Sequence, residues 1–271
     1  MTGREPAQAL LLAAHGSSRI PNAAEPVLRL VEALRSRHLF AEVEACFWKQ
    51  EPLLPQGLAK LKSEEIYVVP VLAAEGTFAR DIMPRELGLT GALTILPDGR
   101  RVHYTPPVGS HARMIELVQA RADTVMALNR LDSLETSLLL IGHGSRHGGG
   151  SRERINAMAE RLAASGRYGE VVPLFIEEAP LVQDWSFVVD RPNLIVMPVL
   201  VAEGQHGGKD IPPLFGVSEL PMTGENVLLA KAKGHNIFYC RGLTDDANAI
   251  EIILDLVRQA GWTNRQENAP A

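Results

Sequence analysis

Leu10-Leu-Leu-Ala-Ala-His-Gly-Ser-Ser18 returns later in the chain as Leu138-Leu-Leu-Ile-Gly-His-Gly-Ser-Arg146. An uninterrupted aliphatic run that stops at a glycine-bearing polar loop is the pattern of a strand buried on both faces, as in a parallel sheet. The same displacement aligns Phe47-Trp-Lys-Gln-Glu-Pro52 with Phe175-Ile-Glu-Glu-Ala-Pro180, and Val68-Val-Pro-Val-Leu72 with Val196-Met-Pro-Val-Leu200. The last block runs on as Ala74-Glu-Gly-Thr-Phe78 against Ala202-Glu-Gly-Gln-His206, and after one inserted residue Asp81-Ile82 meets Asp210-Ile211. Three blocks in register exclude chance, and a repeat this long is two copies of a domain rather than a solenoid unit.

Within each copy, short β-branched or Leu-rich runs alternate with longer amphipathic stretches, so each is read as an α/β lobe with a small parallel sheet and helices on both faces. Strands are expected near 9–14, 43–48, 66–71 and 101–105, then near 137–141, 170–175, 193–199 and 236–239. The clearest helix is Glu25 to Arg37, with Val27, Leu30, Val31 and Leu34 on one stripe and Asn22 as its cap. A last helix, Asp246 to Gln259, should end before Gly261. The polar stretch Asn129 to Glu135 marks the join, giving lobes 1–130 and 131–262 and a tail, 263–271.

Composition narrows the function. The chain is 46% hydrophobic and 22% charged, ordinary for a globular protein. A net charge of -5, 5% aromatics and no basic run argue against nucleic acid as a partner. The apolar run 9–14 is far below the roughly 20 residues of a membrane span, and no basic cluster precedes it, which points to a cytoplasmic protein. Cys46 and Cys240 have no CxxC neighbour and are read as buried, reduced thiols on strands.

In open parallel sheets ligands bind beyond the carboxyl ends of the strands, where the repeated motifs fall. His143 follows the first strand of the second copy, Glu177 the second and His206 the third, so three side chains emerge on one rim. Imidazole with carboxylate suits borderline divalent metals such as cobalt, nickel, iron and zinc. Gly144 and Gly148-Gly-Gly150 let the backbone approach a ligand. The first copy keeps His15 but has Lys49 for Glu177 and Phe78 for His206, so its rim is expected to serve as a wall.

The strand-end His-Gly-Ser-Arg, the Phe-Ile-Glu-Glu segment and the Pro-Val-Leu…Glu-Gly-x-His…Asp-Ile-Pro segment together resemble the sirohydrochlorin chelatases, which are class II tetrapyrrole chelatases. The resemblance covers nearly the whole chain. It implies two flavodoxin-like lobes related by a pseudo-twofold axis with the tetrapyrrole held in the cleft between them. It further implies insertion of cobalt or ferrous iron, with nickel a further option, into sirohydrochlorin or a related ring on the way to cobalamin or siroheme.

No organic cofactor is implied, the metal being a substrate. His143 and His206 match the family's metal-handling pair, and Glu177 its acidic residue, with Glu178 as rival. For the carboxylates of the ring, the candidate donors are Ser145, Arg146 and Lys209, faced by Ser17, Ser18 and Arg19 of the first copy, with His15 and Phe78 beside them. A two-copy chain is expected to act as a monomer, a homodimer being the alternative.

Two other readings remain. The same His-Glu-His rim would serve a metal or tetrapyrrole carrier that does not turn over. A nucleophilic Ser145 or Ser17 beside its histidine is a poorer fit, since His-Gly-Ser is not the Gly-x-Ser-x-Gly elbow.

Overall fold

The computed structural model describes residues 7–18, 22–144, 150–199, 210–217, 227–242 and 247–263. Each repeat builds a five-stranded sheet of the same topology. In the first, β1 (Gln8–Ala14), β2 (Glu42–Phe47), β3 (Glu65–Pro70), β4 (Leu93–Ile95) and β5 (Arg101–Tyr104) lie in the order β2-β1-β3-β5-β4. In the second, β6 (Thr136–Gly142), β7 (Glu170–Phe175), β8 (Asn193–Pro198), β9 (Val227–Ala232) and β10 (His235–Cys240) lie in the order β7-β6-β8-β10-β9.

Three of the four pairings of each sheet are parallel, and the last, β4 with β5 or β9 with β10, is antiparallel. The expected parallel strands are present within a residue or so at their ends. The two antiparallel edge strands were not expected. In β4 the usual alternation is inverted, with Leu93 and Ile95 exposed and Thr94 buried, so no apolar period marks it. The β9–β10 connection is the two-residue turn Lys233-Gly234, both at positive φ, a hairpin geometry that follows the strand twist.

Leu10, Leu11 and Leu12 of β1, and Leu138 to Ile141 of β6, are fully buried, because each central strand is covered on both faces. In the first sheet, β1, β3 and Cys46 pack one face on Leu54 of α2 (Leu54–Gly57) and on Met83 and Leu87 of α3 (Met83–Leu87). In the second, Trp185 and Phe215 stack 5.1 Å apart in the core over β6, β8 and β10.

Helix α1 (Glu25–Arg35) buries Val27, Leu30, Val31 and Leu34, the stripe read from the sequence. Its N-cap is Ala24, with no side-chain cap, and not Asn22, whose carbonyl takes the Glu25 N–H at 3.1 Å. Pro26 in the first turn removes a donor that would otherwise need a partner. Helix α6 (Ala247–Gln259) stops as expected, with Gly261 at φ 98 and the Trp262 N–H returning to Val257.

The compact units are not the two sequence repeats 1–130 and 131–262. One comprises Met1–His111 with Asp246–Ala271, the other Ala112–Asp245. Helix α4 (Met114–Asn129), though it ends the first repeat, packs near β8 and near α5 (Ser151–Ala164) of the second unit. Its Arg121, 6% exposed, donates to the carbonyls of Arg241 (2.7 Å) and Gly242 (3.1 Å) after β10. Reciprocally, α6 belongs to the first unit, where Trp262 stacks on Phe40 at 5.0 Å and Glu251 pairs with Arg37. The tail residues 264–271 lie outside the described residues.

Among the described residues no helix is long and apolar enough to cross a membrane. Cys46 and Cys240 are unpaired and buried, and burial pushes both thiols up to about 12. Since the thiolate is the reactive form, a disulfide reagent at neutral pH should label neither in the folded protein and both after unfolding in guanidinium. Rapid labelling of the native chain would contradict this packing.

Candidate active site

The site is built at the carboxyl end of β6. His143 stands between two crowded glycine positions. A Cβ on Gly142 would lie 2.8 Å from Ile155 Cγ1, and Gly144, at φ 74, would bring one to 2.9 Å from Glu178 Cγ. The His143 carbonyl accepts the N–H groups of Ile176 (3.2 Å) and Glu177 (3.1 Å), which ties the residues after β7 to those after β6. That backbone link fixes two side chains next to one another: His143 Nδ1 is 3.9 Å from Glu177 Oε2.

At 3.9 Å the pair attracts without a direct hydrogen bond. Nδ1 instead lies 3.2 Å from the Gly144 carbonyl. In the tautomer that carries its proton on Nδ1 this contact is a hydrogen bond to the carbonyl, and Nε2 then keeps the lone pair with which imidazole ligates a metal or takes a proton. Both side chains are 43% exposed, accessible to a ligand from solvent.

The structure separates the two glutamates. Glu178, 19% exposed, is held by Arg152 of α5 at 3.0 Å, and Arg152 also donates to the Ala179 carbonyl at 2.8 Å. Its charge is already offset. Among the described residues, the ionic neighbour of Glu177 is His143. Arg152 was not anticipated from the sequence, although its place in the first turn after Gly150 was a signal that it could reach the end of β7.

His206, the third member of the expected set, lies outside the described residues, as do Ser145, Arg146, Lys209 and Arg19. Among the described residues no three metal-ligating side chains come together. The described pair, His143 with Glu177, brings an imidazole and a carboxylate together on one rim.

The first unit repeats the frame with other side chains. The Lys49 N–H donates to the His15 carbonyl at 2.9 Å and the Trp48 N–H to the same oxygen at 3.2 Å. Gly16, at φ 64, stands against Phe47 and Gln50 as Gly144 does against Phe175 and Glu178. Where the second unit has an acid, Lys49 lies 3.5 Å above the Trp48 ring. His15, Trp48 and Phe78 form a ring cluster with centroids 5.0 to 5.2 Å apart. His15 and Phe78 were expected on this rim. Trp48 was overlooked, though the repeat aligns it with Ile176. Ser17 and Ser18 lie in the loop after β1, half-exposed and exposed.

Comparison with known proteins agrees with this duplicated architecture. The family model described as CbiX matches twice, over residues 9–125 and 137–260. A probable sirohydrochlorin cobaltochelatase of Halobacterium salinarum is 32% identical over 270 residues, covering 94% of this chain and 92% of its own. Among solved structures, the sirohydrochlorin chelatase SirB from Bacillus subtilis subspecies spizizenii, in complex with cobalt, superposes with a TM-score of 0.69 at 20% identity, over 97% of this chain and 98% of that one. A multi-domain Deinococcus radiodurans protein with structural similarity to chelatases gives a TM-score of 0.74 at 23% identity over 96% of this chain, which spans 56% of that protein's length. At such identities the two structures speak for the fold. Matched by the family model in both halves and by a full-length relative, the chain belongs to the CbiX family.

Proposed function

We propose that the protein inserts a divalent metal, cobalt or ferrous iron, into sirohydrochlorin or a closely related tetrapyrrole, in the formation of cobalamin or siroheme. The observation that carries this reading is the His143–Glu177 pair at 3.9 Å on the carboxyl edge of the second sheet, in a chain whose full-length relative is named a probable sirohydrochlorin cobaltochelatase.

Insertion exchanges two pyrrole N–H protons for one metal ion, while ring nitrogens replace the ligands the metal arrives with. His143 and His206 bind the incoming metal and accept the departing protons, a task suited to groups whose intrinsic pKa is about 6.5. Glu177 offsets the positive charge of metal or imidazolium. The ring's carboxylates are met by Ser145, Arg146 and Lys209, and by Ser17, Ser18 and Arg19, with His15 and Phe78 lining the first unit's rim. The metal is a substrate and no organic cofactor takes part. The chain acts as a cytoplasmic monomer.

The test is a spectrophotometric assay with sirohydrochlorin and cobalt(II) or, separately and anaerobically, ferrous iron, both in large excess over protein. Many equivalents of metallated product per chain are expected. A single equivalent that then stops would make the protein a carrier, and no acceleration with either metal would overturn the proposal.

A further inference from the structure

The loop after β7 presents two acids in succession, Glu177 and Glu178, in different surroundings. Glu177 lies 3.9 Å from His143. Glu178 stands on the same rim, since a Cβ at Gly144, the neighbour of His143, would meet its Oε1 at 2.9 Å. Arg152, in the first turn of α5, donates to Glu178 Oε2 at 3.0 Å and to the Ala179 carbonyl at 2.8 Å. Its guanidinium carbon lies 5.5 Å from the centre of the Phe175 ring.

The loop does not need this arginine for its shape. In the second unit the Phe175 N–H reaches the Pro180 carbonyl at 2.9 Å, and the His143 carbonyl takes the N–H groups of Ile176 and Glu177. In the first unit the Phe47 N–H reaches the Pro52 carbonyl at 2.8 Å, and the His15 carbonyl takes those of Trp48 and Lys49. The displacement that aligns the strands on either side of α1 and α5 puts Ala24 opposite Arg152 and Gln50 opposite Glu178. The same closed loop therefore forms without an arginine where Lys49 and Gln50 replace the two glutamates. The arginine accompanies the second acid, and its contribution is to charge rather than to backbone.

A carboxylate released beside an imidazole and another carboxylate is itself a ligand for a divalent cation, and affinity at such sites climbs with the number of anionic ligands. In a protein that hands its metal on, an added ligand stabilises the ion before transfer more than during it, which slows the transfer. A guanidinium prevents this because it engages the carboxylate through directed, charge-assisted hydrogen bonds and takes no metal itself.

We propose that Arg152 is a positioning residue that withholds Glu178 from the incoming metal, so that the second unit's rim offers His143 with Glu177 and not with both acids. The rim then holds the ion loosely enough to release it to the ring nitrogens. The consequence for rate rests on the chelatase reading above, whereas the effect on metal affinity is independent of it.

The experiment measures cobalt(II) binding to the full chain by equilibrium dialysis, without tetrapyrrole, and separately the kinetics of cobalt insertion into sirohydrochlorin. Arg152→Met keeps an aliphatic stem beside Phe175 and removes the charge. It is expected to bind cobalt about tenfold more tightly than wild type, on the scale that the outer partners of metal ligands command, and to lower kcat and the KM for cobalt together by about the same factor. Adding Glu178→Gln to Arg152→Met should return affinity and rate to the wild-type values, which it would not do for a merely misshapen loop. Arg152→Gln, also uncharged but able to reach the Ala179 carbonyl, should behave as Arg152→Met does and replaces it if that variant fails to fold. Unchanged or weaker cobalt binding in the folded variants, or tight binding that persists in the double variant, would overturn the proposal. A wild type that binds cobalt but speeds no insertion would overturn the chelatase reading alone, with dialysis still deciding the role of Arg152.

Discussion

His143→Ala is expected to slow cobalt insertion into sirohydrochlorin by at least about a hundredfold, the usual scale when a positioned acid–base group is removed. The substitution deletes the imidazole whose Nδ1 lies 3.2 Å from the Gly144 carbonyl and 3.9 Å from Glu177 Oε2. The side chain is 43% exposed, so the fold should tolerate its loss and the melting temperature should stay close to wild type. Cobalt affinity should fall together with the rate.

The two glutamates next to it provide an internal control. Glu177→Gln should weaken cobalt binding by about ten- to a hundredfold, as removal of a charge partner from a metal histidine does. Glu178→Gln, which removes the charge that Arg152 pairs with, should leave cobalt affinity at the wild-type value. Full activity in folded His143→Ala would remove the second unit's rim from the mechanism. Equal losses from the two glutamate variants would undo the distinction between them.

Gly109→Ala is expected to be the most destabilising glycine-to-alanine change among the described glycines of the first unit. Gly109 sits in the 3₁₀ turn Val108–Ser110 after β5, and its N–H donates to the Leu72 carbonyl at 2.9 Å. A Cβ there would stand 2.1 Å from the Ala73 carbonyl oxygen and 2.5 Å from its carbon. Both obstacles are backbone, so no rotamer change relieves them and one of two packed loops must move. A cost on the order of 3 kcal/mol or more follows, a large part of a typical total stability, with a fall in melting temperature of about 10 °C.

Gly91→Ala is the matched control, since a Cβ at Gly91 meets nothing within 4 Å. Calorimetry or urea unfolding of the two variants decides the matter. Equal melting of Gly109→Ala and wild type would show that the loops 72–74 and 108–110 are not locked together. The lock also bears on the site, because the loop from Leu72 leads directly to Phe78.

Much of this was legible in the chain itself. The aliphatic runs of β1 and β6 end at His-Gly, and their burial on both faces explains why they lack a polar alternation. The placement of His143 and Glu177 on one rim followed from the repeat and from strand order. The choice between Glu177 and Glu178 did not, because it depends on Arg152 reaching back from α5. Edge strand β4 was hidden by its length of three residues and its outward Leu93 and Ile95.

The membership of α4 and α6 was hidden for a different reason. Both carry an apolar stripe, and either sheet offers an apolar face to cover. What decides between them is specific: Arg121 capping the carbonyls after β10, Tyr168 donating to Asp123 at 3.0 Å, and Trp262 lying on Phe40. Contacts of that kind leave no period in a sequence.

The same exchange sets an order of assembly during synthesis. The second unit, Ala112–Asp245, is one uninterrupted stretch and has all its strands and helices once residue 245 has left the ribosome. The first unit, although its five strands precede those of the second, waits for α6, which follows the whole second unit in the chain. The first sheet therefore keeps one flank uncovered until α6 has been made, and cutting the chain between the repeats would separate α4 and α6 from the sheets they cover.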